Sequence, residues 1–162
     1  MRIVLALVLM MTACSDRVPD ATYAGHLSGV YDIMGPDGPV GRGYVVDETP
    51  AGTVVNMGER DSASSVPTWV VGFGSCQFFL PVTYPGRAAS WVSNASSASP
   101  LERPMTCALH FRGLSPSVRV VTVTMMQAEL TATGQLTLTA SVANEDVGGR
   151  GTMGLSFIGA RQ

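Results

Sequence analysis

From Tyr23 onward apolar side chains recur at every second position, and no segment shows a helical period. Across Tyr23 to Ile33, Tyr23, Leu27, Tyr31 and Ile33 share one phase with Gly25 and Gly29, which predicts a strand with one face inward. Met34 to Arg42 (MGPDGPVGR) is dense in Gly and Pro and reads as a turn. Gly43 to Asp47 and Thr53 to Met57 are two short strands around Glu48 to Gly52, and Gly58 to Pro67 is a polar loop. Trp69, Val71 and Phe73 share a face, as do Cys76, Phe78, Leu80, Val82 and Tyr84. The phase slips between the two sets at Gly74-Ser75, where a bulge or tight bend keeps both inward.

Pro85 to Pro104 (PGRAASWVSNASSASPLERP) is rich in Ser, Ala and Pro and reads as a long loop. Met105, Cys107, Leu109 and Phe111 then alternate with polar or small residues. Ser117 to Leu130 is apolar at both phases, predicting a strand that is covered on both sides or bulged. Leu136, Leu138, Ala140 and Val142 form another strand, and Met153, Leu155 and Phe157 the last, joined by a turn over Asn144 to Gly151. About eight or nine strands without a helix predict an all-β antiparallel barrel or sandwich. Glycines on the inward phase of the first strand favour curvature and so the barrel. In composition, Tyr23-x-Gly25-x-x-x-Gly29-x-Tyr31 and the Gly-rich last strand loosely resemble small calycin-like barrels, a likeness that assigns no ligand residues.

The first twenty-odd residues depart from this pattern. Met1-Arg2 is a short positive start, Ile3 to Met11 (IVLALVLMM) is unbroken apolar sequence, and Thr12-Ala13-Cys14 follows. An apolar run of about ten residues is too short to span a bilayer as a helix, which takes about twenty, and it reads as a signal-peptide core. Met11-Thr12-Ala13-Cys14 resembles the lipobox of bacterial lipoproteins, with Met where Leu is usual. That resemblance implies cleavage after Ala13 and acyl chains, palmitate among them, on Cys14. The alternative is an ordinary secretory signal that leaves Cys14 free. Ser15, where the enterobacterial members use Asp for inner-membrane retention, points to the outer membrane. The expected organisation is a signal peptide over 1–13, a lipidated Cys14 and tether over 14–21, and one β domain over 22–162.

The cysteine count agrees with this reading. Of three cysteines, lipidation removes Cys14 and leaves Cys76 and Cys107, both on inward strand phases, to pair in an oxidising compartment. Two buried free thiols are the alternative. With 46% hydrophobic and 14% charged residues, the 162-residue chain fits a single compact domain. Its formal net charge of −2, without a basic run, gives no support to a nucleic-acid partner.

Few residues suggest chemistry. His26 and His110 fall on polar strand phases and read as surface histidines. No HExxH or CxxC motif supports a metal, and no cofactor is expected. Gly74-Ser75-Cys76 lacks the strand-to-helix elbow of a nucleophile. Asp47-Glu48, Glu59 with Asp61, and Glu145-Asp146 lie at strand ends or in loops, where solvated charge is the ordinary reading. Asp32 and Asp37 lack the spacing of an EF-hand loop. Trp91, in the Ser/Ala-rich segment with Arg87 and Arg103, is the one candidate binding anchor, the alternative being a loop tucked over a barrel end. The chain therefore reads as a non-enzymatic, membrane-tethered domain that binds an envelope protein or a small apolar ligand, or supports an assembly. Second comes an inhibitor of an envelope enzyme, by fold-level analogy with small lipoprotein inhibitors of lysozyme. Third is a small hydrolase, which needs His26 or His110 beside a carboxylate in a cleft.

Overall fold

A computed structural model of the chain describes residues 20–47, 52–60, 66–83, 87–146 and 149–162. The signal peptide, Cys14, the tether up to residue 19, Glu48 and Asp61 lie outside them. The described residues form strands β1 (Ala21–Gly35), β2 (Gly38–Val45), β3 (Thr53–Arg60), β4 (Thr68–Phe73), β5 (Cys76–Thr83), β6 (Ala88–Val92), β7 (Met105–Arg112), β8 (Val118–Leu130), β9 (Gln135–Asp146) and β10 (Gly149–Arg161). A single 3-10 turn, Pro100–Glu102, is the only helical element among the described residues.

All pairings are antiparallel. Strands β1, β10, β9, β8, β6, β5, β4 and β3 are hydrogen-bonded in that order, and β3 returns to β1, closing an eight-strand ring. The all-β antiparallel expectation is met, and such a ring is consistent with either a barrel or a sandwich. β2 and β7 close a second, shorter circuit over the same four long strands, because β1 also pairs with β2 and β8 also pairs with β7. Two tiers result. β1, β8, β9 and β10 run through both, β3 to β6 complete one tier, and β2 with β7 completes the other.

A strand has only one edge on each side, so this arrangement requires β1 and β8 to change partner part-way along. β1 pairs with β3 through Gly25 and with β2 from Val30. β8 pairs with β7 through Val123 and with β6 from Met125. At the second change the register of β8 against β9 slips between Val123 and Met125, which is the bulge that the two-phase apolar pattern of this strand allowed. Curvature at the first change depends on Gly25, where a Cβ would run into the Ile158 carbonyl of β10.

The inward phases of the strands meet in one continuous apolar cluster that includes Tyr31, Trp69, Phe78, Phe111, Met126 and Phe157. Tyr31 stacks at a tilt against Phe111 with ring centres 5.1 Å apart, and Phe78 stands 6.3 Å from Trp91. Cys76, at the start of β5, and Cys107, in the middle of β7, form a disulfide with Cα atoms 5.6 Å apart. The bridge joins the two tiers at a place where β5 and β7 share no ladder.

Three local expectations need correction. Met34 to Arg42 is not one long turn: Gly35 pairs with Gly38, and β2 has already begun. Gly38, at φ +125°, does serve the tight turn, but Gly41 lies within the strand, where a Cβ would come within 3.3 Å of the Ile33 side chain. Asn144 to Gly151 is likewise mostly ladder, with Gly149 paired to Asp146. Pro85 to Pro104 is not a continuous loop, because Ala88–Val92 is β6, which makes ten strands instead of eight or nine. β6 sends only Ala89 and Trp91 inward, too few positions for a period to show. The slip at Gly74-Ser75 is the tight bend, a hairpin closed by the Phe73–Cys76 pair.

Candidate functional site

Trp91 is not an exposed anchor. It is 5% exposed and packs into the core from β6. Its indole Nε1 donates to the Leu101 carbonyl oxygen at 2.9 Å, so the polar tip is satisfied by the loop that follows β6. That loop is held by its own hydrogen bonds: Asn94 N–H donates to the Glu102 carbonyl at 2.6 Å and Arg103 Nε donates to the Ser97 carbonyl at 2.9 Å. Arg87 is exposed at the head of β6, and its carbonyl accepts from Leu130 N–H at 2.8 Å. Trp91 and Arg103 thus fasten a loop over the ring wall, the second of the two sequence readings, while Arg87 joins β6 to β8; burying an indole stabilises more than displaying it.

His26 and His110 are both exposed, as their strand phases predict. His26 Nδ1 lies 3.4 Å from Asp47 Oδ2, with 84% of the imidazole side chain exposed. Asp47 has a structural task. After Gly25 β1 has left β3, and before Val30 it has not yet met β2, so the Leu27 N–H has no ladder partner there. Asp47 Oδ1 accepts from that N–H at 2.8 Å and from the Thr53 hydroxyl at 2.9 Å. Thr53 gives its proton to the carboxylate and not to the imidazole, so the three groups do not form a nucleophile–base relay.

Two further titratable groups are shifted, each by its immediate surroundings. Arg42 and Asp32 form an exposed ion pair, Nε to Oδ1 at 2.5 Å, and this hydrogen bond raises the arginine above its usual value. Burial raises the Tyr23 hydroxyl above its ordinary 10.0, against a smaller downward pull from Arg161. No group of three or more His, Cys, Asp or Glu side chains is placed to hold a metal among the described residues.

The remaining candidate is a concavity that no sequence motif marked. Register aligns Thr22 of β1, Asn56 of β3, Gly72 of β4 and Gln77 of β5 in one row on the outer face of the ring. Gly58 and Val70 form the next row, with the Asp20 carboxylate lying over Gly58. Lacking side chains, Gly58 and Gly72 leave the centre of this surface low, and the result is a groove of about 920 Å³. Thr22 Oγ1 donates to Asn56 Oδ1 at 3.1 Å across the ladder. Glu59 and Arg161 border the groove from the inward phase, where they pair with Trp69 and Tyr23, and Glu59 Oε2 is shielded from water without a hydrogen-bond partner among the described residues. The signal was legible only as glycines at the polar phase of two neighbouring strands, which have meaning once the register is known. A smaller concavity of about 400 Å³ lies over β6, β8 and β9, lined by Ser90, Gln127 and Thr139.

No protein-family model matches the chain, no curated protein matches it, and no solved structure matches it.

Proposed function

We propose that the protein is a lipid-anchored envelope lipoprotein whose β domain has a non-catalytic binding or structural role, exercised through the outer surface of the ring. The filling of the ring carries this reading. Among the described residues the inward phases meet in a single apolar cluster, which occupies the place an apolar small ligand would take and favours recognition on the outside. An envelope protein or polymer suits that surface better than an enclosed small molecule.

The anchor rests on the lipobox-like Met11 to Cys14 and on the cysteines. With Cys76 and Cys107 joined, Cys14 is the one cysteine of the three left for another chemistry. Two acyl signals hold a domain on a bilayer stably, which one chain does not. Ser15 favours the outer membrane. Intact mass should show diacylglycerol on Cys14, and the wild type should sediment with membranes. A Cys14→Ser chain that stays with the membrane overturns the proposal.

One feature favours the inhibitor as a second reading. The exposed Gly74-Ser75 turn projects between Phe73 and the disulfide-bonded Cys76, a braced tip at the rim of the groove. Inhibition of an envelope enzyme that vanishes on replacing Ser75 with Arg, the fold remaining intact, would select it. The hydrolase reading has the His26–Asp47 pair, but among the described residues no hydroxyl is donated to that imidazole.

A further inference from the structure

We infer that the outward groove over Gly58 and Gly72 binds a short, hydroxyl-rich glycan segment. The inference rests on the non-catalytic binding reading and names the ligand class for that surface.

The chemistry of the lining carries the argument. The outer face of the groove offers two amide side chains, Asn56 and Gln77, the hydroxyls of Thr22 and Ser75, and the carboxylate of Asp20, whereas Glu59 and Arg161 border it from the inward phase. Amides and carboxylates present paired hydrogen-bonding groups in a plane, the geometry that meets two neighbouring hydroxyls of a sugar ring. Other ligand classes fit less well. A phosphate or nucleic acid needs several cations where the groove has one. An acyl chain needs an apolar trough, but Met57 and Phe73 in the lining are buried side chains of the core, 2% and 5% exposed. A peptide added as a strand needs a free backbone edge, and the floor strands β3 and β4 are paired on both sides.

The groove is also preformed. Its rows lie across four hydrogen-bonded strands, so little order remains to be gained on binding. A volume of about 920 Å³ is near the top of the range for ligand sites and suits an oligosaccharide better than a single sugar.

Gly72 allows a direct test. A Cβ added there meets only the Cys76 carbonyl oxygen, at 3.5 Å, which is ordinary contact, so Gly72→Leu should fold while its side chain fills the groove. Gly154, on the outer face of β10, has nothing within 4 Å of an added Cβ, and Gly154→Leu is the matched control. The full chain, purified in detergent, would be titrated with the β-1,4-linked trisaccharides of N-acetylglucosamine and of glucose, following amide resonances. At least one should bind with a Kd of about 1 mM or tighter, shifting Asn56, Gly72 and Gln77. Gly72→Leu should weaken it by at least about tenfold, Gly154→Leu should leave it unchanged, and Gln77→Ala should weaken it about threefold. Gln77→Ala decides the matter if Gly72→Leu proves unstable. Binding of neither sugar at about 10 mM, or a folded Gly72→Leu that binds like wild type, overturns the inference. So does displacement of the sugar from a different set of resonances, or occupation of the groove only by an extended peptide. Cleavage of a bound trisaccharide, seen by mass spectrometry, would instead overturn the non-catalytic reading, and loss of the anchor would show only in the Cys14→Ser fractionation.

Discussion

β1 and β8 face the same problem and solve it by different means. Each changes partner on one edge, and each must account for backbone groups at the change, where no ladder reaches. On β1 the answer is a side chain: Asp47, from the segment leaving β2, reaches back to the Leu27 N–H, and Thr53 at the head of β3 donates to the same oxygen. On β8 the answer is backbone. Thr124 is the extra residue of the bulge, and its carbonyl accepts Ser93 N–H at 2.8 Å from the chain leaving β6. The loop then folds over, and Trp91 plugs the gap between the tiers from the inside. A side-chain solution depends on one residue's identity; a backbone solution depends on chain length and on the plug.

This contrast can be attacked by mutation, and Trp91→Ala should do the most damage. Truncating a buried tryptophan costs about 3–5 kcal/mol, read in denaturant melts, with β6 and the loop after it losing hydrogen-exchange protection first. Removing the bridge that fastens the tiers, as Cys76→Ser with Cys107→Ser, should cost about 3–4 kcal/mol on the chain-entropy argument for a separation of 31 residues. Asp47→Ala, which strands a peptide N–H and a hydroxyl together, should cost about 2–3 kcal/mol, and Asp47→Asn, which keeps an acceptor, distinctly less. Thr124→Ala should cost only about 0.5–1 kcal/mol, because the Ser93 contact uses its carbonyl and only the side-chain bond to Ser141 is lost. Equal costs for Asp47→Ala and Thr124→Ala in the same melts would abolish the distinction between the two solutions.

The smallest effect concerns pH. Tyr23, whose backbone row adjoins the β1 change, has its hydroxyl raised above 10.0 by burial, so the folded state favours the neutral phenol. That contribution is complete below pH 10 and is lost as pH rises through the raised value. Thermal melts between about pH 9 and 12 should therefore fall less steeply for Tyr23→Phe than for the wild type.

Much of the wall could be read from the sequence, because period-two alternation survives wherever a strand buries one face. Cys76, Cys107, His26 and His110 all point where their phases place them. What stayed hidden depends on pairing. β6 shows only Ala89 and Trp91 to the core, so a Ser/Ala-rich strand looked like loop, and a tryptophan with no visible strand around it looked exposed. The glycines of Met34 to Arg42 carried a turn signal that holds for Gly38, although Gly41 sits inside β2 against the Ile33 and Leu114 side chains. Asp47 looked like one of a solvated acidic pair, since nothing local reveals that a peptide N–H some twenty residues earlier needs an acceptor. The groove was invisible for the same reason: Thr22, Asn56, Gly72 and Gln77 become neighbours only through the register of four strands.

The ladder between β1 and β10 also sets a clock. Ser28 and Ser156 stand opposite one another although 128 residues separate them. At a synthesis rate of about 5–20 residues per second, the first strand waits roughly 6 to 26 s for the last. Hairpins such as β4–β5 can form early in that interval, but neither circuit can close before β10 arrives. Until then the edge of β1 is bare and the apolar phases of the long strands are uncovered, the state in which edge-to-edge association competes with folding. The chain therefore needs shelter for nearly its whole time of synthesis, a requirement fixed by the order of its strands rather than by its final stability.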